Sequence, residues 1–362
     1  MIRQITPEKA AKVLWVASEK NDFSVIEKLL NKKLRGDLKQ VTDTLVLIPR
    51  ELCLNILWLA SANGNGSVIE LILDVLDCED MSASDSRGLS VSTFWPNAMT
   101  IAAENGHRHC LEYFMARGPE IFARNGVKAA YCAARAGKLE CLEFLVDMGY
   151  MASGDFSVIS PASAAGHVDC VRYLLQKRIN INQVDNCALS PAPALLLAAE
   201  GGHVECVSLL LDGGADDRVQ RPKDGSVALH TAVMGGHTSI VRLLLGRGTD
   251  PDVAMGGGLC GTALYLAATE GRDDCMSCLL EAGADPNRPV KYFGGDISVT
   301  PLHAAAVGGH AECVKLLLLW GAFTNFSVDG HTPLQHARAK NHVQCVRLLE
   351  SPPAVVNSSS RS

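Results

Sequence analysis

The sequence predicts an all-α fold, a solenoid of stacked helix–turn–helix units joined by hairpin-like turns. Three observations carry that expectation. The string TPLHAAAVGGHAECVKLLLLWGAFTN, from Thr300 to Asn325, recurs with small changes around Leu229 and around Leu264. A glycine follows the leading apolar residue of nearly every unit at a fixed interval. The 362 residues are 48% hydrophobic but only 5% aromatic, which suits short helices packed through Leu, Ala and Val.

With Leu302 as the register mark, equivalents fall at Leu14, Leu57, Met99, Ala130, Ile159, Leu195, Leu229, Leu264 and Leu334, giving ten units. Seven residues past the mark stands Gly in eight of them: Gly64, Gly106, Gly137, Gly166, Gly202, Gly236, Gly271 and Gly309. Asn21 and Asn341 take that place in the first and last units. Asn ranks next after Gly for a left-handed helix end, so one local conformation is expected throughout. In the ninth unit Pro301 suits a first helical turn, which has no use for its missing N–H. Leu302, Ala305 and Ala306 then form an i, i+3, i+4 stripe, and Val314, Leu317 and Leu318 form a second one after Gly309. A lone pair of such helices cannot bury both stripes; a stack can.

This pattern, a TPLH-like start, an Ala pair, Gly-His, V-x-x-L-L and Gly-Ala, resembles the ankyrin repeat. The marks are separated by 43, 42, 31, 29, 36, 34, 35, 38 and 32 residues, against an ankyrin period of about 33. The resemblance covers residues 8 to 350 and is strongest after about 190. The expected organisation is therefore degenerate repeats with long connections over 1–98, a regular array over 99–350 and a disordered tail over 351–362. Pro161 falls inside the first helix of the fifth unit, which is expected to begin about a turn late.

Charge and cysteine usage narrow the function classes. Net charge is −6; the first fifty residues carry ten basic and six acidic side chains, and the remainder carries 23 basic against 33 acidic. That body does not favour phosphate backbones or anionic lipid, so no nucleic-acid partner and no membrane are expected. The N-terminus has Glu8, Lys9 and Lys12 where a signal peptide needs an apolar run. A cytoplasmic or nuclear monomer is the expectation.

Cys110, Cys141, Cys170, Cys206, Cys275, Cys313 and Cys345 all stand eleven residues past the mark. A slot recurring once per layer reads as a small buried hydrophobe, and neighbours about a repeat apart lie beyond disulfide reach. Five His-x-x-Cys strings, such as His203/Cys206, look like half a zinc site, but the repeat pattern accounts for these histidines, as helix-start residues bonding nearby backbone. No metal and no cofactor are expected. There is no Gly-x-Ser-x-Gly, no phosphate-binding loop and no kinase signature, so the chain reads as non-enzymatic.

The resemblance implies a protein-interaction scaffold or adaptor whose partner lies along the concave side, on first-helix ends and turn tips. By register these are Arg135, Glu200, Met234, Thr269 and Glu270 on helix ends, and Asp224, Ser226, Asp329 and His331 on turns. Trp95 and Phe293 fall in long connections, where they either serve as exposed aromatic anchors or fold back to cover the extra loop. The alternative is the regulatory ankyrin region of a larger enzyme, such as a kinase or ubiquitin ligase.

Overall fold

The computed structural model describes residues 50–77, 91–153, 156–177, 179–185, 191–256, 261–291 and 298–355, together with Val16, Ala17, Lys20, Asp22 and Val25. The expected tail is described only to Val355; residues 356–362 lie outside the described residues. The chain divides into two compact units, residues 1–162 and 163–362.

The N-terminal unit pairs a long and a short helix in each layer: α1 (Arg50–Asn63) with α2 (Gly66–Asp77), α3 (Val91–Asn105) with α4 (Arg108–Arg117), and α5 (Pro119–Arg135) with α6 (Leu139–Asp147). The first helices α1, α3 and α5 pack in sequence, as do the second helices α2, α4 and α6. The first helices here have 14, 15 and 17 residues.

Two expectations are corrected at this point. The segments read as long connections are partly helix: residues 50–56 belong to α1 and 91–98 to α3, whereas 31–49 and 78–90 lie outside the described residues. Trp95 therefore stands in the second turn of α3, not in a loop. Val91, Trp95, Ala98, Met99 and Ala102 recur at helical spacing, so the stripe starts well before the mark. Pro96 forgoes only one hydrogen bond, to the Ser92 carbonyl, near the start of that helix. No hairpin separates α4 from α5; Gly118 ends one and opens the other. Phe122, in the extension of α5, is fully buried and meets Phe144 and Tyr150 edge-on at 6.3 and 5.6 Å.

A two-residue hairpin, β1 (Ala152–Ser153) with β2 (Phe156–Ser157), leads to α7 (Ile159–Ala164). This helix starts at its register mark, where the later ones start one residue before theirs. The delay is thus one residue, not a turn. Pro161 is its third residue, inside the first turn, where N–H groups have no intrahelical partner and none is lost.

The C-terminal unit continues with α8 (Val168–Gln176), α9 (Ala194–Glu200), α10 (Val204–Asp212), α11 (Ala228–Gly235), α12 (Thr238–Gly246), α13 (Ala263–Glu270), α14 (Asp273–Glu281), α15 (Pro301–Gly308), α16 (Ala311–Leu319), α17 (Pro333–Ala339) and α18 (Val343–Glu350). The first helices α9, α11, α13, α15 and α17 pack side by side, and so do α8, α10, α12, α14, α16 and α18 behind them. Thr262, Thr300 and Thr332 cap their helices through the hydroxyl, each accepting from the backbone N–H three residues on. Short antiparallel hairpins join the layers: β3 (Val184–Asp185) with β4 (Ala192–Pro193), and β5 (Val290–Lys291) with β6 (Ser298–Val299). The last is tightest. Val328 and His331 exchange both backbone hydrogen bonds at 2.9 Å around Asp329 and Gly330, both at positive φ, 50° and 78°.

The slot seven past the mark is left-handed wherever it is described, including Asn341 at φ 59°. It also has a second task. Across each such layer of this unit a side chain from the next layer lies over the glycine and bonds the carbonyl two residues before it. His203 reaches Ala164, His237 reaches Glu200, His310 reaches Thr269 and His342 reaches Val307 through Nε2 at 3.0–3.1 Å, and Arg272 reaches Met234 at 3.2 Å. In the N-terminal unit His107 does the same to Ala62 at 3.1 Å. The histidine at the start of a second helix is a latch to the preceding layer. The turns have their own ladder: Asn182, Asp252 and Asn287 accept from the backbone N–H of Asp216, Asp285 and Phe323 in the next layer.

The seven slot cysteines are all buried, and none of them is in a disulfide. Burial pushes the thiols of Cys110 and Cys313 up to about 12 and those of Cys141 and Cys206 up to about 11, with neighbouring acids or thiols adding to it. Such thiols stay protonated and act as packing groups.

His230 carries the clearest pH dependence. It is fully buried, its Nδ1 accepts from the Val227 N–H at 3.2 Å and its Nε2 meets the Val253 carbonyl at 3.1 Å. Burial lowers its pKa to about 4, against the opposing pull of backbone hydrogen bonds to Val253 and Gly261 and of the Asp224 charge. The folded state therefore keeps it neutral, while the unfolded chain takes up a proton below about 6.5. Its contribution is intact above that value and is lost as pH falls towards 4, on the order of 3 kcal/mol in full. Urea unfolding at pH 7 and pH 4.5 is expected to show a smaller acid-induced loss for His230→Gln than for the wild type. An equal loss in both would exclude this residue as the cause.

Candidate partner-binding surface

Five helix ends and turns of the C-terminal unit carry the predicted surface. The last residues of α9, α11 and α13 present Glu200, Met234, Thr269 and Glu270, in successive layers. Their local geometry explains why these side chains face outward. The carbonyls of Glu200, Met234 and Thr269 are held by the latches, so the backbone is fixed while the side chains are exposed. Met234 is 46% exposed. The Thr269 hydroxyl turns back to donate to the Tyr265 carbonyl at 3.0 Å.

Glu200 and Asp224 are joined by a residue the sequence reading passed over. Arg221 is only 9% exposed; its guanidinium bonds Glu200, itself 53% exposed, and lies 3.9 Å from Asp224. Burial alone would raise the Asp224 pKa, but hydrogen bonds from Ser226 and the charges of Arg221 and Lys223 hold it below the ordinary carboxylate value. Ser226, expected at a turn tip, is instead fully buried. It closes the loop, donating its N–H to Asp224 at 2.9 Å and accepting from the Arg221 N–H at 2.8 Å. Gly225 behind it abuts Gly256 of the next turn, where a Cβ would come within 2.3 Å of backbone.

Asp329 and His331 sit on the exposed tip of the last hairpin, the His331 ring bonded to the Asp329 carbonyl at 2.9 Å and packed 5.5 Å from the ring of His336. Arg135, in the N-terminal unit, ends α5 and pairs with Glu104 of the layer before at 3.1 Å. Phe293 lies outside the described residues.

Two exposed apolar residues were also missed. Val307, 41% exposed, occupies the same slot as Glu200 and Met234, and the register alone would have found it. Trp58, 44% exposed in α1, follows a register mark directly, a slot that is buried or half-buried in the units of the C-terminal half up to the ninth, and periodicity gives no hint of the difference.

Glu200 is paired with Arg221, Asp224 is bonded by Ser226 and lies beside Arg221, and His331 is bonded to the Asp329 carbonyl. Among the described residues no group of three or more His, Cys, Asp or Glu side chains is placed to hold a metal ion, and no helix is long and apolar enough to cross a membrane. A hollow of about 430 Å³ lies in the N-terminal unit between Asn63, Ser67, His109 and Tyr113, but His109 is spent on the Gly64 carbonyl at 2.8 Å.

A family model described as ankyrin repeats in three copies matches residues 57–159, 99–185, 159–255, 195–290 and 290–359 in overlapping windows. The chain belongs to the ankyrin repeat family. It is 28% identical over 199 residues to the ankyrin repeat protein nuc-2 of Neurospora crassa, covering 53% of this chain and 18% of that one. It is 30% identical over 177 residues to the ankyrin repeat and KH domain-containing protein mask-1 of Caenorhabditis elegans, covering 41% of this chain and 7% of that one. The chain thus spans less than a fifth of either relative. Among solved structures the human ASB11 ankyrin repeat domain superposes with a TM-score of 0.53 at 31% identity, over 62% of this chain and 99% of that domain. Ankyrin repeats are generally protein-interaction modules, and the fold is an all-α ankyrin solenoid.

Proposed function

We propose that this ankyrin repeat protein is a non-catalytic scaffold or adaptor, working in the cytoplasm, that holds a partner protein along the concave side of its C-terminal repeats. One observation carries the reading. The latched carbonyls repeat from layer to layer, yet the side chains on those same residues run Glu200, Met234, Thr269, Val307. A constant frame bearing a varied, exposed row is what recognition of one particular partner needs, and a preformed surface loses little entropy on binding.

The test is affinity capture with the wild type and with Met234→Arg/Glu270→Arg/His331→Ala, after circular dichroism has shown equal folding. A protein retained by the wild type and lost, at least tenfold, by the triple variant is the expected result. Equal capture by both would sink the proposal. The second reading, an ankyrin region within a larger enzyme, draws on the much greater length of the two relatives, one of which joins ankyrin repeats to a KH domain. Detecting a catalytic activity in the captured complex that depends on a covalently continuous longer chain would favour it.

A further inference from the structure

Resting on that reading, we infer the chemistry of the segment that docks: a stretch of the partner in the polyproline II conformation bearing a Lys or Arg flanked, three residues before and three after, by apolar side chains.

The charges on the row are not equivalent. Glu200 is already neutralised by the buried Arg221, and Arg338 at the far end is bonded to Glu350. Glu270 is different. It is exposed, and no basic side chain among the described residues pairs with it. The basic residue closest in sequence, Arg272, is committed to the Met234 carbonyl at 3.2 Å. Glu270 also breaks a row of glycines: the slot six past the mark holds Gly201, Gly235 and Gly308 in the neighbouring layers. A single carboxylate thus projects from a strip with no side chains to either side of it.

The flanking layers are apolar. Met234 stands exposed one layer before Glu270 and Val307 one layer after it, with Leu266 and Ala304 half-buried alongside. An exposed uncompensated carboxylate between two apolar contacts is complementary to a cation between two apolar side chains.

Spacing then follows from geometry. Packed helices of adjacent layers lie roughly 8–10 Å apart, and a polyproline II segment advances about 3.1 Å per residue with three residues per turn, so every third side chain points the same way. One layer therefore corresponds to about three residues of the partner. Side chains of a polyproline II segment at positions three apart can meet Met234, Glu270 and Val307 in turn, with the two residues between each pair free to vary.

The experiment is selection of a random displayed peptide library against the immobilised full chain, repeated with Glu270→Arg, Glu270→Gln and Met234→Arg. For the wild type, enriched sequences are expected to share a Lys or Arg with apolar residues three before and three after. Glu270→Arg is expected to replace the cation by Asp or Glu at that position, and Glu270→Gln to remove the preference about tenfold without reversing it. Both substitutions lie on an exposed helix end, and matching circular dichroism separates a lost preference from a lost fold. If Met234→Arg abolishes enrichment while the Glu270 variants leave the selected charge unchanged, the docking surface stands and the cation rule is wrong. Enrichment indifferent to every variant, or none at all, overturns the rule together with the surface.

Discussion

Gly271→Ala is expected to destabilise the C-terminal unit by about 2–3 kcal/mol, a large effect for one methyl group. Two costs add. The residue stands at φ +67°, where an Ala is disfavoured by roughly 1–2 kcal/mol. Its Cβ would also come within 2.5 Å of His310 Nδ1, so the ring must move and surrender its bond to the Thr269 carbonyl, worth about 1 kcal/mol. His310→Ala on its own loses the latch but opens that space. The double variant should therefore cost less than the two single ones summed, by at least about 1 kcal/mol, in urea unfolding followed by circular dichroism. Strict additivity would mean that the imidazole does not lie on the glycine, and the latch would have to be abandoned.

Phe122→Ala is expected to cost about 3–5 kcal/mol, confined to the N-terminal unit. The ring is fully buried eight residues before the register mark at Ala130, in the part of α5 that takes the place of a hairpin. Its neighbours Phe144 and Tyr150 leave no slack, since a Cβ on Gly126 would meet the Tyr150 ring at 2.5 Å. Native-state hydrogen exchange should show the loss of protection in α5 and α6. A change below about 1 kcal/mol would show that the helical extension is a surface appendage and not part of the core.

The C-terminal repeats were legible because each slot recurs. Thr300-Pro301, the Ala pair, Gly309 and the Val314 stripe fell where the pattern placed them, and Asn341 took the left-handed conformation of the glycines it replaces. What periodicity does not reveal is a contact to the neighbouring layer. The sequence placed His237 and His310 at helix starts with backbone to bond, but not the acceptors at Glu200 and Thr269 in the layer before. The extended helices of the N-terminal unit were missed because the 43- and 42-residue separations between marks read as long connections, although the apolar spacing back to Val91 already argued otherwise.

The surface was legible only as positions. Register located Glu200, Met234 and Glu270, but their meaning depends on what else they touch. Arg221, one of three basic residues in a polar turn with Arg218 and Lys223, gives no sign in the sequence that it is buried and bound to Glu200. Once that pair is known, Glu270 remains as the uncompensated carboxylate of the row. Ser226 was misjudged for the opposite reason: a serine beside Asp224 and Gly225 looks like a turn tip, and only the close stacking of Gly225 on Gly256 shows it to be the inside of the loop.

The central claim is that a partner lies on the first-helix ends of the C-terminal repeats. Hydrogen exchange of the full chain, with and without a captured partner, tests it most directly. The account predicts slowed exchange at the ends of α9, α11, α13 and α15 and in the turns around Asp224 and Asp329, with α10, α12, α14 and α16 unchanged. Protection confined to those second helices, or to the N-terminal unit, would contradict it.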